Sequence, residues 1–111
     1  NYDMFSVEDA SGMLDKSGLP VRIMIDASHS NSRKIPARQI DVVQDIATQV
    51  SRGNVGIMGL MIESHLVEGR QNVVESQPLT YGQSITDACI SWGDTETALI
   101  SLAEAAAKRR Q

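Results

Sequence analysis

An α/β fold is predicted by three features of the sequence. Residues 21–27 and 55–62 form short, almost wholly apolar runs, as expected of parallel strands covered on both faces. Between them, Ile40, Val43, Ala47 and Val50 recur at helical spacing. Each apolar run also ends abruptly in polar residues, and the turn after such a strand is where α/β folds place their chemistry.

In chain order, Ser6 and Asp9 suggest a helix N-terminus close to a capping box, followed by Ala10, Met13 and Leu14 at helical spacing. Gly18 can take a left-handed C-terminal position, and Pro20 prevents continuation. After the first strand, residues 28–34 are expected to form a polar loop. Pro36 then opens a second helix that buries the apolar face, turns Arg38, Asp45 and Gln49 to water, and stops at Gly53. Gly56 and Gly59 inside the second strand suggest close backbone approach. Residues 64–92 read as one long connection, and loops of that length are functional or disordered. Tyr81 and Trp92 are expected to anchor it in the core. Asp94 is the expected N-cap of a last helix, with Leu99, Leu102, Ala103 and Ala106 as its stripe. The order is helix, strand, helix, strand, long loop, helix, a single segment over residues 1–111.

With 41% hydrophobic and 22% charged residues the chain is globular. A net charge of −4 gives no support to nucleic-acid or anionic-membrane binding. Lys108, Arg109 and Arg110 are read as the basic end of a helix. The single cysteine, Cys89, excludes an internal disulfide and fits a reducing cytoplasm. No apolar run approaches the roughly 20 residues that span a bilayer. The opening Asn-Tyr-Asp is not expected to be the start of the gene product.

Two potential ligands stand in equivalent places, His29 after the first strand and Glu63 after the second, and Asp87 lies in the long connection. Imidazole and carboxylates suit a divalent metal such as manganese, iron or zinc, and an open position would let the ion act as a Lewis acid. Taken alone, these residues are better explained as a histidine and two acids hydrogen-bonded within the fold, since their spacing matches no compact ligand motif.

The runs I-D-A-S-H-S-N-S-R-K, M-I-E-S-H-L-V-E-G and P-L-T-Y-G-Q-S-I-T-D-A-C-I-S-W resemble, in order, the C-terminal part of type I DAHP synthases (phospho-2-dehydro-3-deoxyheptonate aldolases). That resemblance implies the C-terminal portion of a (β/α)8 TIM barrel, the last two β/α units, with the rest of the barrel missing. It also implies a metal-dependent, aldol-like condensation of phosphoenolpyruvate with erythrose 4-phosphate, the first step of the shikimate pathway, in a cytoplasmic homo-oligomer. In the family a cysteine, a histidine, a glutamate and an aspartate hold the metal. The last three fall on His29, Glu63 and Asp87, which are thereby also the implied catalytic residues. The cysteine ligand has no counterpart here, and Cys89 reads as a nearby buried thiol.

Other residues invite supporting roles. Asp26, inside an apolar strand, needs partners because an unpaired buried carboxylate is costly. His65 could support the metal shell or touch substrate, Asn31 could orient substrate or water, and Lys34 matches a family lysine while Arg33 reads as a solvated charge. An incomplete barrel would expose strand edges and helix faces, so the segment alone is expected to be inactive and stable only beside the rest of the enzyme or by self-association. Two other readings compete: a metal-dependent hydrolase fragment, and a non-catalytic α/β binding module.

Overall fold

The computed structural model describes all 111 residues. They form α1 (Met4–Lys16), β1 (Ile23–Asp26), a helical turn α2 (His29–Ser32), α3 (Pro36–Ser51), β2 (Ile57–Met61) and α4 (Trp92–Arg109). The strands pair in parallel, with Ile25 opposite Leu60 and Asp26 opposite Met61, and the register shifts between Ile23 and Met24. Helix α3 supplies the largest share of the core: Val42, Val43 and Ile46 are completely enclosed, and Ile25, Ile57, Ala98 and Ala105 pack into the same cluster. The α/β reading and its order of elements hold.

Several local expectations are corrected. Asp3, not Ser6, caps α1: its carboxylate accepts from the Ser6 N–H at 3.2 Å and the Ser6 hydroxyl at 2.7 Å. An ionised acid at that place meets an orphan N–H and the helix dipole together, so the cap lies three residues before the serine. Residues 28–34 contain the turn α2 rather than only loop. Ser91 caps α4, accepting from the Asp94 N–H at 3.2 Å, which moves Asp94 into the first turn. Helix α4 keeps Leu102 of its expected stripe against the core but is otherwise rotated from it. Thr95, Ala98 and Ala105 are buried, while Leu99 is 51% exposed and Ala103 faces solvent. The small side chains let α4 pack closely on α3, and Leu99 is left lining an open groove with Met58, Leu60 and Ile62.

Gln49 is buried rather than solvated, donating to the Tyr2 carbonyl and to Asp45 Oδ1, both at 2.8 Å. It ties the segment before α1 to α3. Both α1 and α3 end as expected in left-handed glycines, Gly18 (φ 71°) and Gly53 (φ 105°). In each case the next N–H reaches back five residues, from Leu19 to Leu14 and from Asn54 to Gln49.

The strands are not covered on both faces. Met24 is 58% exposed and Met58 62%, and Trp92 and Tyr81 lie at the surface instead of anchoring a core. The accessible surface is 7337 Å², against about 6,000 Å² for a folded monomer of this mass. The radius of gyration, 16.3 Å, likewise exceeds the roughly 13 Å of a compact chain this long. Apolar surface of this kind is what a larger assembly of strands and helices would cover. The long connection is tied down by backbone pairing of Ser64 with Ile90, Gly69 with Cys89 and Arg70 with Ser84. No helix is long and apolar enough to cross a membrane.

Candidate metal centre

Beyond the C-terminal end of β1 the chain makes a tight turn, with His29 itself left-handed at φ 51°. Asp26 organises this turn. Its Oδ1 accepts from the Ser28 N–H at 2.8 Å and the Ser28 hydroxyl at 2.6 Å, and its Oδ2 lies 2.9 Å from His29 Nδ1. Ser28 Oγ, whose proton goes to Asp26, is 2.8 Å from the same Nδ1. Nδ1–H is therefore the donor, and Nε2 is the nitrogen presented outward with its lone pair whenever the ring is neutral. Asn31 closes the turn by donating to the Asp26 carbonyl at 2.8 Å.

The outward nitrogen meets two carboxylates. Glu63 Oε1 lies 3.0 Å from His29 Nε2, and Asp87 Oδ2 lies 3.7 Å away. One donor atom from each of the three residues falls within 4.8 Å of the others. This set fits a divalent cation: one imidazole nitrogen and two carboxylate oxygens converge, and the imidazole is backed by a carboxylate on its far nitrogen, the outer-sphere arrangement that orients metal-ligating histidines.

Without an ion the two carboxylates also favour a proton on the ring. The hydrogen bond to Asp26 is the largest influence raising the His29 pKa. Partial burial opposes it, and the charges of Asp26, Glu63 and Asp87 add to the rise. For Asp26, burial pushes the pKa up, but the hydrogen bonds from Ser28 and His29 outweigh it and hold the carboxyl below the usual range.

Glu63 is placed by more distant partners. Gln39, on α3, accepts from the Glu63 N–H at 2.8 Å and donates to the Glu63 carbonyl at 3.2 Å. The Ile90 N–H donates to that carbonyl at 3.0 Å. Next along the chain, the hydroxyls of Ser64 and buried Thr95 are hydrogen-bonded, which joins the end of β2 to α4.

Of the other sequence candidates, Asp26 and Asn31 join the cluster as supports. His65 is exposed, and its Nδ1 accepts from the Leu66 N–H at 2.8 Å, away from the converging donors. Lys34 is exposed and left-handed (φ 60°); its backbone bonds to the His29 carbonyl, and its ammonium makes no ion pair. Cys89 is buried outside the donor cluster, and burial pushes its thiol pKa up, the opposite of an activated ligand.

Ser28, Gln39, Ser64 and Thr95 were not singled out by sequence reasoning. Gln39 had a signal: it falls on the same helical stripe as Val42, Val43, Ile46 and Val50, where a polar side chain needs a partner. The largest cleft, about 500 Å³ between α1 and α3, shares no residue with this cluster. The donor cluster itself is open to solvent.

Fold and site thus define a segment of an α/β protein that gathers an imidazole and two carboxylates beyond the ends of two parallel strands. Residues 1–100 match the DAHP synthetase I family, and the chain belongs to it. It is 48% identical over 110 residues to the Phe-sensitive phospho-2-dehydro-3-deoxyheptonate aldolase of Escherichia coli, covering 99% of this chain and 31% of that protein. The Haemophilus influenzae phospho-2-dehydro-3-deoxyheptonate aldolase is 47% identical, with 100% of this chain and 31% of that protein covered. The structure of the Francisella tularensis phospho-2-dehydro-3-deoxyheptonate aldolase superposes with a TM-score of 0.93 at 43% identity, covering 100% of this chain and 32% of that one. The chain therefore spans about a third of the length of these relatives.

Proposed function

We propose that residues 1–111 are the last two β/α units of a (β/α)8-barrel DAHP synthase, which condenses phosphoenolpyruvate with erythrose 4-phosphate when the barrel is complete. The observation that carries this reading is the convergence of His29, Glu63 and Asp87 in a chain of this family. These three would hold a divalent ion, manganese, iron or zinc, with a further ligand from outside the segment. Bound there, the ion would act as a Lewis acid toward a carbonyl oxygen.

The chain's own residues prepare that site. Asp26 and Ser28 fix the Nδ1–H tautomer and aim Nε2 at the donor cluster. Glu63 and Asp87 supply the negative charge that offsets a dication. The open, apolar side of the sheet around Met24 and Met58 would pack against the remaining strands. The reading extends to a cytoplasmic enzyme that works as a homo-oligomer.

The test is a condensation assay with manganese on the full-length protein and on the isolated 12.1 kDa segment. Turnover is expected only from the full-length protein. Turnover by the segment alone would contradict the need for the rest of the barrel, and an inactive, folded, metal-loaded full-length protein would contradict the assignment.

A further inference from the structure

Gln39 is 1% exposed, and both polar atoms of its side chain are used on the backbone of a single residue. Its Oε1 takes the Glu63 N–H at 2.8 Å, and its Nε2 donates to the Glu63 carbonyl at 3.2 Å. Helix α3 thereby supplies a substitute for a strand. The β1–β2 ladder has stopped at Asp26 and Met61, and Glu63, two residues on, would otherwise be held only from the far side. The same carbonyl accepts from Ile90 N–H, three residues after Asp87, so the Gln39 amide meets the point where the Glu63 and Asp87 segments are joined. A carboxylate moves with its backbone, and the Glu63 oxygen is aligned to within 3.0 Å of His29 Nε2.

We propose that Gln39 is a positioning residue for the metal centre, its primary amide clamping both backbone groups of Glu63 so that the glutamate carboxylate reaches the ion shared with His29 and Asp87. This rests on the reading of Glu63 as a ligand.

The experiment uses the full-length protein with Gln39→Met, which keeps length but loses both hydrogen bonds, and Gln39→Glu, which keeps an acceptor for the Glu63 N–H. Manganese affinity is measured by equilibrium titration, and coordination by the visible spectrum of the cobalt-loaded protein. Thermal midpoints of the metal-free forms are recorded separately. Gln39→Met is expected to weaken manganese binding about 10–100-fold and alter the cobalt spectrum, and Gln39→Glu to recover part of the loss. A purely structural glutamine would lower the thermal midpoint while leaving affinity and spectrum unchanged in the folded protein, and that result would overturn the proposal. Should Gln39→Met fail to fold, Gln39→Glu decides: weakened binding with an altered spectrum upholds the clamp, and wild-type behaviour refutes it. Glu63→Gln is the control. Unchanged manganese affinity in that variant would refute the ligand assignment itself, whatever the Gln39 variants do.

Discussion

His29 and Glu63 follow equivalent strands but are held in opposite ways. Around His29 the partners that hold Nδ1 lie within a few residues: Asp26, Ser28 and Asn31 bond to one another across a single turn. Glu63 has no such local frame. Its backbone is gripped by Gln39 from α3 and Ile90 from the long connection, and its neighbour Ser64 is tied to Thr95 of α4. One donor is built by local sequence, the other by packing. The first can form as soon as the turn forms, whereas the second requires α3, α4 and the sheet to be docked.

The largest effect should come from removing either donor. In the full-length protein, His29→Ala and Glu63→Ala should each abolish detectable manganese binding by titration, and retention of binding by either would break the symmetry of role on which the comparison rests. Next, Ile46→Ala on α3 should cost about 2–5 kcal/mol of stability in denaturant unfolding, because Ile46 is completely enclosed. As the protein loosens, hydrogen exchange should rise at Glu63 and Ile90 before the Ser28 amide, which bonds to Asp26 within its own turn. Simultaneous loss at all three would show that the His29 frame also depends on packing. Asp26→Asn, a change in the local frame alone, should weaken metal binding about 10–100-fold with little change in unfolding midpoint.

The smallest effect is on pH dependence. A proton and a metal compete for His29 Nε2, and the metal-free ring has a raised pKa. Apparent metal affinity should therefore be low in acid and climb as pH rises through that raised value. The metal-free protein behaves with the opposite sign: protonated His29 contributes stability below its unfolded pKa, and the contribution fades as pH rises through the folded value. Since the bond to Asp26 is the largest cause of the raised pKa, Asp26→Asn should move the climb in affinity to lower pH in a titration series. An unmoved profile would locate the proton elsewhere.

The same contrast explains what the sequence could show. The two apolar runs, the α3 periodicity, Pro36 and the terminal glycines are local signals, and they gave the element order. Asp26 was legible as an acid in need of partners because it stands inside an apolar strand, and the turn D-A-S-H-S-N keeps those partners local. The caps at Asp3 and Ser91 were missed because capping side chains of similar chemistry stood nearby at Ser6 and Asp94. The face of α4 was misread because its stripe of leucines and alanines could be satisfied in more than one rotation, and only contact with α3 selects Ala98 and Ala105. Gln39 pairs with the backbone of Glu63, 24 residues away, a distance at which sequence alone can show that a buried amide needs a partner but not which one. The exposed methionines of the sheet follow from a property no local pattern carries, the absence of neighbouring strands.

The most direct test of the metal centre is anomalous scattering at the manganese edge from crystals of the full-length protein grown with manganese. The expected result is a single strong peak bounded by His29 Nε2, a Glu63 carboxylate oxygen and an Asp87 carboxylate oxygen, with Asp26 still on Nδ1. A peak elsewhere, with His29 Nε2 still directly bonded to Glu63 at saturating metal, would contradict it.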